Sequence, residues 1–153
     1  MSIRATLKGS LRMITNVLYP GFPAGRQAVG LLCLRLVAGA ALMHHGWPKI
    51  QHAFNWMGPE APVPGILQAL AAFAEFGGGL GLIVGLLTLI AAFGIACTMA
   101  VAIVTVHIPH GDPFVSSAGK SYEPAAGYLA IAILFMLAGP GALSLDALLF
   151  RKK

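Results

Sequence analysis

The chain has 153 residues, of which 58% are hydrophobic and only 10% charged, with a net charge of +5. An ordinary soluble domain carries about 25% charged residues, and the mean hydropathy of +0.81 lies far above what a water-soluble fold tolerates. These figures exclude a soluble globular enzyme, a disordered tail and a disulfide-stapled secreted domain, and they leave a small integral membrane protein.

The first 28 residues read as an interfacial segment. Arg4, Lys8 and Arg12 form a basic stripe, and Leu7, Leu11, Ile14 and Leu18 form an apolar one. That pattern predicts an amphipathic helix on an anionic membrane surface, retained rather than cleaved, because no small-residue cleavage pattern follows it. Residues 29–153 then form the transmembrane domain. A span needs roughly 20 apolar residues, and the first runs over about 29–47, with Arg35 as its single charge. The breaker cluster Gly58-Pro59-Glu60-Ala61-Pro62-Val63-Pro64-Gly65 separates it from an apolar stretch that reaches about Val106. As one helix that stretch would be roughly 60 Å long, twice the hydrocarbon thickness, so it must reverse. Gly85-Leu86-Leu87-Thr88 is the natural turn, giving spans of about 65–85 and 88–106. A polar loop from His107 to Ser121 precedes the fourth span, about 122–139, which Pro140 stops. Ser144 is placed to cap a short helix, Leu145 to Phe150.

The expected fold is therefore all-α, an antiparallel four-helix membrane bundle. Arg4, Lys8, Arg12, Arg26, Arg151, Lys152 and Lys153 flank the ends, whereas only Lys49 and Lys120 lie in the loops opposite. The bias puts both termini in the cytoplasm. Bases gathered at the ends of apolar runs are orientation signals and not a nucleic-acid surface. The partner implied throughout is the lipid bilayer.

Polar residues fall in two groups. Arg35 lies about 13 Å below His44, taken as the outer end of its helix, and Glu75 about 15 Å below Gly65. Similar depth on consecutive helices predicts an Arg35–Glu75 ion pair, either holding two helices together or marking a substrate or proton path. Gln68 shares the Glu75 face, and Gly39 and Gly46 share that of Arg35. The outer group comprises His44, His45, Lys49, His107, His110, Asp112, Tyr122 and Glu123. Imidazoles with carboxylates bind metals, relay protons or hold a quinone carbonyl. Among these, His44, His45, His107, His110 and Asp112 are the weak candidates for a metal. No short ligand spacing is present, and adjacent His44 and His45 point about 100° apart. The same residues beside Trp47 and Tyr122 suit a headgroup belt. Gly77, Gly81 and Gly85 follow a small-xxx-small spacing that permits close packing, either internally or against a partner helix or second copy. Gly77-Gly78-Gly79-Leu80-Gly81 fails the nucleotide-loop spacing, and no strand precedes it. Cys33 and Cys97 read as small apolar packing residues.

Taken in order, Arg35-Leu36-Val37-Ala38-Gly39, His45-Gly46-Trp47-Pro48-Lys49, Glu75-Phe76-Gly77-Gly78-Gly79, His107-Ile108-Pro109-His110-Gly111-Asp112-Pro113-Phe114, Ser121-Tyr122-Glu123 and Gly139-Pro140-Gly141-Ala142-Leu143-Ser144-Leu145-Asp146 resemble the DoxX family of four-helix membrane proteins. The resemblance covers about residues 30–150, and Ala142 departs from it where a larger, often basic residue is expected. It implies a compact bundle in the bacterial inner membrane, associated with respiratory redox work. The family takes its name from a subunit associated with a terminal quinol oxidase, and relatives act in thiosulfate:quinone oxidoreduction or in quinone and oxidative stress responses. The family's polar positions map onto Arg35, His45, Lys49, Glu75, His107, Tyr122 and Glu123.

Three functions follow as expectations. The first is a quinone-linked redox subunit, with His45, Lys49 and His107 as quinone contacts, Glu75 or Glu123 as a proton route, and Arg35 and Tyr122 as further catalytic candidates. No haem, iron–sulfur or flavin motif is present, so electrons would come from a redox partner protein or a diffusible reductant. The second is a non-catalytic membrane anchor or assembly subunit. The third is a small proton-coupled transporter or metal-handling protein, for which four spans without an inverted repeat offer little room. The residues alone do not decide whether the chain has its own turnover.

Overall fold

The computed structural model describes residues 21–61, 63–117 and 119–151. The expected amphipathic segment up to Leu18, with its basic stripe, lies outside the described residues. Every regular element among the described residues is helical. Helix α1 is Arg26–Gln51, α2 Gly65–Val84, α3 Thr88–Ala102, α4 Glu123–Ala138 and α5 Leu145–Phe150. A π-helical turn, Ile103–His107, extends α3, so that among the described residues three helices are long and apolar enough to cross a membrane: Arg26–Gln51, Gly65–Val84 and Thr88–His107. The helix at the fourth expected span has 16 residues, about 24 Å of rise, which is shorter than the other three.

Burial is inverted relative to a soluble protein. The interior is made largely of small residues, Ala38, Ala69, Ala72, Ala92 and Ala132 among them, whereas Val37 is 71% exposed and Leu137 80%. Large apolar side chains turned outward on every long helix fit a surrounding solvent that is itself apolar. In lipid no hydrophobic force drives helices together, so they associate by close van der Waals contact between small residues. α1 packs on α2, α2 on α3, and α3 on α4. At the first contact a Cβ on Gly39 would meet the Gly79 carbonyl oxygen at 2.6 Å, and one on Gly79 the Gly39 carbonyl oxygen at 2.7 Å. Gly46 lies equally close to Glu75 and Phe76, where a Cβ would meet the Glu75 Cβ at 3.0 Å.

Of the expected Gly77, Gly81 and Gly85 face, only Gly77 is open. A Cβ on Gly81 would touch Leu86 and Ala91, and one on Gly85 would land on the Arg35 guanidinium and Ser144. The stripe is not one free surface, because the chain reverses at Gly85 and turns two of its members inward. Gly85 ends α2 in the left-handed conformation, φ 68°, which costs a glycine little. Leu87 also has positive φ, at 49°, a strained value that the surrounding bonds must hold.

Those bonds come from α5. Ser144 caps it as expected, accepting from Ala147 N at 3.1 Å and donating to the Gly141 carbonyl at 2.6 Å. Asp146 is fully buried. Its carboxylate accepts from Leu87 N at 2.8 Å and Thr88 N at 2.9 Å, while its own N–H donates to the Gly85 carbonyl at 2.8 Å. The orphan donors that open α3 are thus capped from 58 residues away.

The glycine geometry separates two substitutions of equal chemistry. Gly39→Val, which forces α1 off α2, is expected to lose about 1–3 kcal/mol of stability. Gly77→Val, with nothing within 4 Å of its Cβ, is expected to stay within about 0.5 kcal/mol of the parent. Thermal unfolding in mild detergent checks the pair.

Candidate functional site

The expected Arg35–Glu75 pair does not form. Arg35 is fully buried and donates to the Leu82 carbonyl at 3.3 Å and to the Leu143 carbonyl. Asp146 is the carboxylate that acts on it through space. Glu75 bonds Lys49 instead, Nζ to Oε1 at 2.6 Å. The depth arithmetic failed at Pro48. α1 does not end near His44 but continues through Pro48 to Gln51, so Arg35 sits about 24 Å from its end, against about 15 Å for Glu75 from the start of α2. Membrane helices tolerate an interior proline because neighbours re-satisfy the freed backbone.

Arg35 therefore belongs to the end of the molecule that holds the Gly85 turn, where backbone carbonyls accept its hydrogen bonds. Three elements meet on it: the last turn of α2, the Gly85 turn and the segment leading into α5. The opposite end carries the remaining polar residues. There Lys49 lies between the Glu75 carboxylate and the Trp56 ring, with Nζ 4.7 Å from the ring centroid. Gln68, on the Glu75 face as expected, accepts from Met57 N at 3.0 Å and donates to the Val63 carbonyl at 2.9 Å. Trp56 Nε1 donates to the Gln68 carbonyl at 2.9 Å. The connection between α1 and α2 is thus stitched onto α2 by two side chains.

His44 and His45 diverge as adjacent helical residues must. His45 packs edge-on against Tyr128 of α4, centroids 6.1 Å apart. Together with His44, Met43, Trp47, Pro48 and Phe76 it lines a cleft of about 550 Å³. Trp47 and Phe76 form its aromatic wall, 5.6 Å between centroids, and Pro48 removes the helical donor to the His44 carbonyl beside it. On the far side of the His45–Tyr128 contact, Tyr128, Glu123, Pro124, Gly127 and Ile131 line a second cleft of about 470 Å³.

The π-helical turn swings His107 toward the following loop, where its Nδ1 lies 2.7 Å from Asp112 Oδ2. Single π turns recur at functional positions because they re-aim a side chain. His110 Nδ1 lies 2.5 Å from the Val106 carbonyl oxygen. Tyr122 packs against Phe114, centroids 5.4 Å apart, and Glu123 N donates to the Phe114 carbonyl. The expected metal candidates are thus scattered: among the described residues no three His, Cys, Asp or Glu side chains converge to hold an ion. Cys33 and Cys97 are free and exposed.

Three residues that matter here escaped the sequence reading: Asp146, Tyr128 and Trp56. Asp146 left one signal. The Gly85-Leu86-Leu87-Thr88 turn opens a helix with no side-chain cap of its own, and a buried helix start without a cap needs a donor-seeking oxygen from elsewhere. Tyr128 and Trp56 left none, since only the packing of α4 on α1 and of the loop on α2 brings them in.

Removing the Asp146 carboxylate leaves the Leu87 and Thr88 N–H groups without their acceptor and the Arg35 guanidinium without its nearby counter-charge. Asp146→Ala is expected to cost about 3 kcal/mol or more. Ser144→Ala, which removes a local cap, is expected to cost about 1 kcal/mol. The difference is read as the shift of the unfolding midpoint in detergent.

Comparison with known proteins agrees with this geometry at the level of family. The DoxX family model matches residues 30–108, from α1 to the π turn. The chain is also 32% identical over 137 residues to the inner membrane protein YqjF of Escherichia coli (strain K12), covering 82% of this chain and 96% of that protein. No solved structure matches it. With the family model spanning half of the chain and this relative aligned along most of it, the chain belongs to the DoxX family of membrane proteins.

Proposed function

We propose that the protein is a quinone- or quinol-interacting subunit of redox machinery in the bacterial inner membrane. The observation that carries this is the cleft between α1 and α2, with an aromatic wall of Trp47 and Phe76 and the imidazoles of His44 and His45 on its rim. A quinone headgroup is a flat ring with a hydrogen-bond acceptor at each end. A slot of mainly apolar lining with a few placed polar groups is what such a ligand needs. His45 donates to a carbonyl oxygen and exchanges protons there, and Tyr128 orients the ring from α4. The second cleft continues from Tyr128 to Glu123, an exposed carboxylate. His107, held by Asp112, serves as a second imidazole near the same end. Lys49, engaged by Glu75 and Trp56, acts on the loop and not on the headgroup. Electrons come from a partner protein or a diffusible reductant, and the open Gly77 face of α2 suits a partner helix or a second copy.

The arrangement that serves this role is an antiparallel four-helix bundle formed by residues 29–153, with both termini cytoplasmic and the clefts toward the outer surface. Pairing of Gly39 with Gly79 and of Gly46 with Phe76 supports opposite directions for α1 and α2, and the positive flanks support the orientation. A non-catalytic anchoring role is favoured by one observation: Arg35 and Asp146, the most buried charges, serve only to lock the turn.

Trp47 supplies the test. Titration of the purified protein with a short-chain quinone is expected to quench its emission saturably. His45→Ala is expected to weaken binding about tenfold, the loss of one hydrogen bond to a buried acceptor, and Trp47→Phe to abolish the saturable component. Linear, non-saturating quenching in the parent protein would overturn the proposal.

A further inference from the structure

Glu75 has one satisfied oxygen and one that is not. The residue is 3% exposed; Oε1 takes the Lys49 ammonium at 2.6 Å, and Oε2 is buried with no hydrogen-bond partner. Lys49 is the other half of an asymmetric pair, its side chain 25% exposed against 4% for that of Glu75. From this geometry we infer that Glu75 is a proton-binding site, and that filling it frees Lys49 and unfastens the segment between α1 and α2. The inference concerns a different ligand from the quinone and stands without it.

The step is a simple one. A proton from water at this end adds to a Glu75 oxygen lone pair and forms an O–H bond. The carboxylate becomes a neutral acid, the ion pair to Lys49 is lost, and Lys49 keeps its three protons and its charge. The site gains one positive charge, and no electron moves. Ionised, Glu75 carries the desolvation cost of an unpartnered Oε2; protonated, it forfeits the attraction of Lys49. Costs of this kind are comparable in size for buried pairs, which is the condition for a two-state element. Lys49, with its side chain 25% exposed, has water within reach once Glu75 is neutral.

The consequence follows from the stitching. Trp56 is held from one side by Lys49 and from the other by the Gln68 carbonyl. Release of Lys49 removes the ion pair that joins α1 to α2 beside this segment, and leaves the Gln68 bonds and the packing of Phe54 on Gly65 between the segment and α2. Phe76, next to Glu75 in the chain, is a wall of the larger cleft. Other titratable groups on the surrounding elements are His44, His45 and His52 on or beside α1, Glu60 in the connecting segment, Cys97 and His107 along α3, and Glu123 and Tyr128 on α4. Glu60 and Glu123 are the carboxyl groups among them. The whole chain has five acidic side chains, few enough for a protonated carboxyl signal to be assigned by substitution.

The experiment is infrared difference spectroscopy of the protein in lipid, between neutral and acidic pH, with Trp56 emission followed in a Trp47→Phe background. A protonated-carboxyl band is expected to appear on acidification, to persist in Glu60→Gln and to be lost in Glu75→Gln. Lys49→Met, which leaves Glu75 without its cation, is expected to show the band already at neutral pH. Trp56 emission is expected to change together with the band and to become independent of pH in Glu75→Gln. A full-intensity band in Glu75→Gln overturns the assignment, as does its absence at neutral pH in Lys49→Met, should Glu75→Gln fail to fold. A Glu75 band with unchanging Trp56 emission overturns the release.

Discussion

A guanidinium buried in a protein that lipid surrounds has to find its acceptors inside the chain. Arg35 finds them at the Leu82 and Leu143 carbonyls and faces the charge of Asp146. Much of the fold is arranged around that requirement. The carbonyl of Leu82 lies in the last turn of α2, where it accepts from Gly85 N–H at 3.2 Å and keeps a second lone pair for the guanidinium. Leu143 is close because Ala142 N bonds the Pro23 carbonyl and draws the segment before α5 against the residues just ahead of α1. Gly85 has no side chain because the guanidinium occupies that space. Asp146 then serves two purposes at once: counter-charge for Arg35 and cap for α3.

The opposite end is built on looser terms. Its polar residues are paired in twos, Lys49 with Glu75, His107 with Asp112 and His45 with Tyr128, and each pair spans two elements or a turn. None is sealed as Arg35 is. Lys49 is a quarter exposed, and the two clefts open beside His45 and Tyr128. The end around Arg35 is buried and closely bonded, whereas the polar pairs of the opposite end are partly open. Low local stability concentrates where ligands and protons have to come and go.

Between these ends the helices are held by shape. Gly39 against Gly79 and Gly46 against Phe76 bring two backbones together, and alanines fill the remaining contacts. Such packing leaves the large apolar side chains for the lipid, where their dispersion contacts are no worse than in a core.

The positions of the helices were legible in the residues. A span of apolar residues of fixed length is a local property, so the expected boundaries at 65–85 and 88–106 lie within a few residues of α2 and the extended α3. The reversal at Gly85 was legible because a sixty-ångström helix cannot fit a thirty-ångström core, and the Ser144 cap because its bond is three residues long. Pairing was a different matter. The sequence placed Arg35 and Glu75 at equal depth only by ending α1 at the His44-His45-Gly46-Trp47-Pro48 signal, and a proline that breaks a helix in water is tolerated where neighbours satisfy the backbone it frees. Once α1 runs on to Gln51, Lys49 reaches Glu75 and Arg35 is left for the far end. Composition and hydropathy thus determined roughly where the apolar helices lie and that lipid surrounds them, but not where α1 ends. Which charge meets which was decided by the tertiary structure, because helix register depends on where two glycine surfaces can touch, and that contact belongs to neither helix alone.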